Sequence, residues 1–141
     1  MKLSNLHSAV LTLFFSMIFF SCGSDPLPNC TEHEVTPCME NPDMANLRVK
    51  NSSQYDYCNV VVAIDEDVFF GNILSGESSC YIAFNTLYSY AYIQLFIDGQ
   101  EFVVQPIDFL GELPLSKGLY TYNILVPDEN GDKYDVELTL E

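Results

Sequence analysis

From residue 46 onward, short runs rich in Val, Ile, Tyr and Phe are broken by Asn, Asp, Gly and Ser every 8–12 residues. No stretch keeps a 3.6-residue apolar period for three turns, so the pattern predicts strands and only incidental helix. The predicted strands cover 47–50, 57–64, 68–72, 79–84, 88–97, 101–105, 119–126 and 133–140. The last alternates most cleanly: Tyr134, Val136, Leu138 and Leu140 oppose Lys133, Asp135, Glu137, Thr139 and Glu141, giving one buried and one wet face. Asp98-Gly99 lies between two apolar runs and predicts a type I′ hairpin, because that turn needs positive φ. Strands of this number and spacing predict an all-β fold, a single antiparallel β-sandwich over 46–141, immunoglobulin-like or transthyretin-like.

Ahead of this domain the pattern changes twice. Residues 9–20 (AVLTLFFSMIFF) form an uncharged apolar run of twelve residues behind Lys2, the length of an export-signal core and short of the roughly 20 residues a membrane-spanning helix needs. Residues 23–45 hold four of the seven prolines (Pro26, Pro28, Pro37, Pro42) and almost no apolar periodicity, which predicts a disordered tether. As a free coil it would hold the domain roughly 25–30 Å from its point of attachment.

The apolar run ends in Phe19-Phe20-Ser21-Cys22-Gly23. This resembles the lipobox of bacterial lipoproteins, with Phe19 where Leu is commonest. The resemblance implies that residues 1–21 are removed and that Cys22 becomes an N-terminus carrying diacylglycerol and palmitate-type acyl chains. Two or more chains are what stable anchoring requires. The short signal and the small β domain on an acidic tether, with Val49-Lys50-Asn51-Ser52-Ser53, Gln105-Pro106-Ile107-Asp108-Phe109 and Gly118-Leu119-Tyr120-Thr121-Tyr122, are similar to small lipoproteins of Bacteroidota-type bacteria. That likeness implies a bacterial outer-membrane address, on either its periplasmic or its exposed side, and carries over no functional residue. Leu115-Ser116-Lys117-Gly118-Leu119-Tyr120 resembles the tyrosine corner of immunoglobulin-like sandwiches, which implies a Tyr120 hydroxyl bonded to upstream backbone.

Charge narrows the function classes. Residues 22–141 contain four Lys or Arg against 20 Asp or Glu, a formal charge of −16, which argues against nucleic acid, whose binding rests on cations neutralising phosphates. The tether carries −5 and the domain −11. Acidity in turns and outward strand positions keeps a tethered, monomeric domain soluble and away from anionic surfaces.

Chemistry is sparse. The domain has no His, the commonest general base near neutral pH, so the chain is read as noncatalytic. Asp65-Glu66-Asp67 reads as a solvated turn, and no phosphate-binding loop is present. Removing Cys22 leaves four cysteines, an even number suited to an oxidising compartment. Cys30 and Cys38, eight residues apart, are expected to close a small loop in the tether. With His33 they also make a zinc-type ligand set, but an oxidising compartment favours the bridge. Strand alternation places Cys58 with Val60, Val62 and Ile64, and Cys80 with Ile82 and Phe84. Both thiols are therefore expected to face the core, bridged to each other or left as two small buried hydrophobes.

No cofactor is expected, with calcium as the one ion worth weighing. Asp128, Asn130 and Asp132 place oxygens at alternate turn positions, although Gly131 and Thr139 depart from the EF-hand spacing and an Asn-Gly turn explains them without an ion. Tyr88, Tyr90, Tyr92 and Phe96 are expected on one strand face, opposite Ala91, Ile93, Leu95 and Ile97. That face is either a second buried layer or an exposed tyrosine ladder of the kind that grips proteins and glycans. The sequence thus predicts a lipid-anchored, noncatalytic envelope module with a binding or structural role toward an unidentified protein or glycan partner, with a surface glycan-binding accessory, calcium-assisted or not, as the alternative.

Overall fold

The computed structural model describes residue 30 and residues 33–106, 112–125 and 135–140. Eight strands follow one another: β1 (Ala45–Asn51), β2 (Tyr57–Ala63), β3 (Asp67–Ile73), β4 (Ile82–Phe84), β5 (Tyr92–Ile97), β6 (Gln100–Val104), β7 (Gly118–Leu125) and β8 (Asp135–Leu140). They form two four-stranded sheets, ordered β4-β1-β7-β8 (sheet A) and β3-β2-β5-β6 (sheet B). The fold is an all-β sandwich. One pair departs from the antiparallel expectation: β1 runs parallel to β7, from Ala45↔Gly118 to Asn51↔Ile124. Parallel neighbours need a long crossover between them. Here the whole of sheet B intervenes in sequence.

Alternation builds the core. Leu47 and Val49 of β1 and Tyr120, Tyr122 and Ile124 of β7 face Val60 and Val62 of β2 and Ile93, Leu95 and Ile97 of β5. Each large apolar side chain so buried contributes about 1.5–3 kcal/mol. Tyr57 is fully buried, and its hydroxyl donates to the Ile124 carbonyl (3.0 Å), a polar link between the two sheets. Buried Asn51 satisfies its amide completely, donating to the carbonyls of Tyr55 and Ile73 and accepting from the Ser53 amide and hydroxyl.

The turn chemistry follows the sequence. Asp98 and Gly99 take φ of 50° and 80° in a two-residue loop that closes Ile97 on Gln100, the geometry of a type I′ hairpin. The Tyr120 hydroxyl donates to the Ser116 carbonyl (2.9 Å), completing the tyrosine corner. Asp65 and Glu66 are exposed between β2 and β3, and Asp67, also exposed, opens β3. Leu140, expected on the buried face of the last strand, is 69% exposed at its end.

Two cysteine orientations are corrected. Asn59 adopts φ of 51°, and its amide is held by Asn72 Oδ1 (2.9 Å), where the β2–β3 register shifts between Tyr57 and Val60. This bulge resets the alternation, so Tyr57 enters the core and Cys58 turns to the outer face of sheet B. Cys58 pairs across the sheet with Phe96, which is outward between the buried Leu95 and Ile97. Cys80 lies two residues ahead of the short strand β4 and is exposed, because regular alternation has not yet begun there.

The disulfides therefore connect differently from the expected pairs: Cys30 joins Cys58 and Cys38 joins Cys80, with Cα–Cα distances of 5.3 and 5.8 Å. Residues 33–44, compositionally a linker, run along the domain as a strap. The Thr36 amide donates to the Phe69 carbonyl (2.9 Å) and the Phe69 amide to Thr36 Oγ1 (3.0 Å), covering the edge of β3. Met39 donates to the Tyr81 carbonyl (3.2 Å) and accepts from the Ala83 amide (2.8 Å), covering the edge of β4. The three residues from Thr36 to Met39 reach at most about 11 Å, so the strap steps from one sheet to the other. Asn46, 1% exposed, anchors its end by donating to the Asn41 and Met44 carbonyls and accepting from the Asn41 amide.

Candidate functional site

The strap builds the first candidate region. The His33 ring stacks on Phe69 with centroids 6.1 Å apart, and Val35 lies over Gly71. Gly71 is required twice: its φ is +76°, and a Cβ there would stand 2.8 Å from Val35 Cγ2. Beside it, His33, Val35, Asn59, Gly71 and Asn72 line a surface depression of about 320 Å³. Cys30 and Cys38 are both oxidised, so neither offers the thiolate that the zinc reading with His33 requires. Among the described residues, no group of three or more His, Cys, Asp or Glu is arranged to hold a metal ion. The calcium candidates Asp128, Asn130 and Asp132 lie outside the described residues.

The predicted tyrosine ladder does not form as a ladder. β5 begins at Tyr92, so Tyr88 and Tyr90 belong to the irregular segment after β4. All three rings are half-buried. The Leu115 amide bonds to the Leu87 carbonyl (2.7 Å) and ties this segment to the one leading into β7. Tyr122 donates its hydroxyl to the Tyr88 carbonyl (2.8 Å). The Ser89 hydroxyl donates to the Glu112 carboxylate, and that bond, followed by one from Tyr90, holds the Glu112 pKa below the ordinary carboxylate value against a smaller desolvation effect. Burial pushes the Tyr122 phenol well above its usual range, with the Glu112 charge adding to the shift. These bonds tie the segment after β4 to β7 and to the segment leading into it.

The outward faces of the two sheets differ in chemistry. On sheet A, Arg48, Thr121 and Thr139 stand in one cross-strand row. Arg48 Nε donates to Thr121 Oγ1 (3.0 Å), its guanidinium lies 5.1 Å from the Tyr81 ring centroid, and Asn123 donates to Thr139 Oγ1 (3.1 Å). On sheet B, Val61 is paired with Phe69 and Gln94, Gln94 with Val103, Ala63 with Tyr92, and Cys58 with Phe96. That face is largely apolar, with Asp67 and Glu101 at diagonal corners. The Gln94 amide donates to the Glu101 carboxylate.

Tyr92 and Phe96, expected together on one strand face, share the outer face of sheet B, whereas the outer face of sheet A was not singled out. Signals were present for both: Arg48 and Lys50 alternate with Leu47 and Val49, which marks a wet outer face, whereas Val60-Val61-Val62 is apolar on both sides, as strands covered on both faces are. Of the residues singled out, Cys30, Cys38, Cys58 and Cys80 form disulfides with partners other than those expected, and Cys22 lies outside the described residues. Of Tyr88, Tyr90 and Tyr92, Tyr92 alone lies in a strand.

No protein-family pattern matches the chain, and no curated protein matches it. Among solved structures, the chain is similar to an NMR structure of a protein from Eubacterium rectale, at 14% identity and a TM-score of 0.46, over 74% of this chain and 94% of that one.

Proposed function

We propose that this protein is a lipid-anchored, noncatalytic module of the bacterial outer membrane, attached through acyl chains on Cys22 and presenting its β-sandwich to a protein partner or to the envelope structure. The observation that carries the reading is the Ser21-Cys22-Gly23 junction behind a twelve-residue apolar run. Its support is that the four cysteines after Cys22 are all consumed in two disulfides, as suits export to an oxidising compartment. Cys22 is then the odd thiol, reserved for other chemistry. Its role in attachment follows from the same arithmetic, because one thioether-linked diacylglycerol and an N-acyl chain together exceed the marginal binding of a single chain.

The test is metabolic labelling with a fatty acid. The wild-type chain is expected to take up label and fractionate with membranes, and Cys22→Ala to lose both properties. Label retained by Cys22→Ala would remove the assignment. A pull-down from intact cells with the lipidated protein then identifies the partner.

A further inference from the structure

We infer that the outer face of sheet B rests against the lipid surface that carries the anchor, leaving the Arg48 face of sheet A turned away from it. The inference deepens the anchoring reading above and depends on it. Its basis is the position of the first staple. Cys58 lies on the outer face of sheet B, side by side with Phe96, and Cys30 is bonded to it. Eight residue steps separate Cys22 from Cys30. Fully extended they reach about 26–29 Å, and as a flexible coil they average roughly 15 Å. Had the chain been free up to β1, the same contour would be nearly three times longer and the domain would present any side. Stapled at Cys30, the chain leaves from one face, at an interior strand and near the end where β2 begins, and that face is drawn toward the bilayer.

The chemistry of the face agrees with its position. Ala63, Tyr92, Phe96 and Val103 offer an apolar and aromatic surface of the kind that sits at a lipid–water boundary. Among the described residues, the N-terminal segment covers the β3 and β2 side of it, through His33 on Phe69, Thr36 on the Phe69 backbone and Cys30 on Cys58. The carboxylates of Asp67 and Glu101 stand at diagonal corners, so the surface suits zwitterionic headgroups and gains nothing from anionic ones. Opposite, the row of Arg48, Thr121 and Thr139 is polar and hydrogen-bonded across the strands. That is the side available to a partner approaching from solution.

The test uses the full acylated chain in phosphatidylcholine nanodiscs doped with a gadolinium-chelating lipid, with amide relaxation read by NMR. The amides of Gln94, Phe96 and Val103 are expected to relax several-fold faster than those of Arg48, Thr121 and Thr139. Equal relaxation on the two faces, or the reverse order, overturns the inference while leaving the anchor intact. A Gly/Ser insertion of about 20 residues between Cys22 and Cys30 lengthens the contour beyond the thickness of the domain and is expected to shrink the contrast. A contrast unchanged by the insertion would deny the staple its orienting role and overturn the argument. Fatty-acid labelling of the same preparation separates the two levels. A labelled chain with indistinguishable faces sinks only the orientation, whereas an unlabelled chain removes the anchoring reading and the orientation with it.

Discussion

The outer faces of the two sheets began from similar strand geometry and diverged in what covers them. Sheet A turns outward a row of Arg48, Thr121 and Thr139, with Thr121 itself buried, and ties it together with side-chain hydrogen bonds and the Arg48–Tyr81 contact. Sheet B turns out Val61, Phe69, Tyr92, Phe96 and Val103, and the chain ahead of β1 returns over part of it through Cys30, His33 and Thr36. A polar face satisfies itself locally. An apolar face needs a cover, and here the sequence uses the N-terminal segment as part of that cover.

The strongest way to break this contrast is to remove the staples one at a time. Loop closure predicts about 3–4 kcal/mol for each, slightly more for the wider Cys38–Cys80 pair. Burial predicts the reverse order, because Cys58 is 4% exposed whereas Cys38 and Cys80 are both exposed. Urea unfolding is expected to show Cys30→Ala/Cys58→Ala as the less stable double variant; the opposite order would mean that the cover on sheet B contributes little packing.

Next in size is Gly71→Ala, which forces a side chain into positive φ and against Val35, at a cost of about 1–2 kcal/mol from the backbone alone. Combining it with Val35→Ala should recover the steric part. A purely additive cycle would show that Val35 does not press on sheet B. Tyr122→Phe follows, with a loss of about 1 kcal/mol for the bond to the Tyr88 carbonyl. It also carries a pH signature. In the unfolded chain Tyr122 ionises near pH 10, whereas burial raises its folded pKa, so its contribution is complete below that pH and is lost as pH rises. Stability of the Tyr122→Phe chain should fall less steeply on the alkaline side.

On sheet A, Arg48→Ala is expected to cost only about 0.5–1 kcal/mol, measured by the same unfolding, since Arg48 itself is half-buried and is held by a ring contact to Tyr81 and one bond to Thr121. The smallest change expected is at Glu112. Ser89→Ala should raise its carboxyl pKa toward the ordinary value, read by side-chain NMR titration. Because the folded pKa is depressed, the stability linked to it is present above the ordinary carboxylate pKa and is lost as pH falls through the folded value.

Much of the fold was legible from alternation and turns: each of the eight predicted strands overlaps an observed one, and Asp98-Gly99 and Tyr120 behave as their local chemistry demands. What was not legible depends on interruptions of alternation. A single residue at Asn59 inverted the inferred direction of Cys58, and Asn is among the few residues that enter positive φ readily, so the signal was there but faint. Tyr88 and Tyr90 fit a strand pattern, yet the backbone around them is committed to Tyr122 and to the segment entering β7. The parallel β1–β7 pair joins segments some seventy residues apart and leaves no local mark. Pro-rich, acidic composition concealed the strap, because its order comes from two covalent links and borrowed strand edges instead of from its own apolar residues.

The place where Cys30 meets the domain also decides how the protein answers to pulling. β2 is an interior strand of sheet B, hydrogen-bonded to β3 on one side and β5 on the other. Tension on the chain ahead of Cys30 enters that strand through a sulfur–sulfur bond and must slide it past both neighbours at once, whereas tension arriving at Ala45 would act on the first residue of β1. Reduction of the Cys30–Cys58 bond changes the point at which such a load enters the domain.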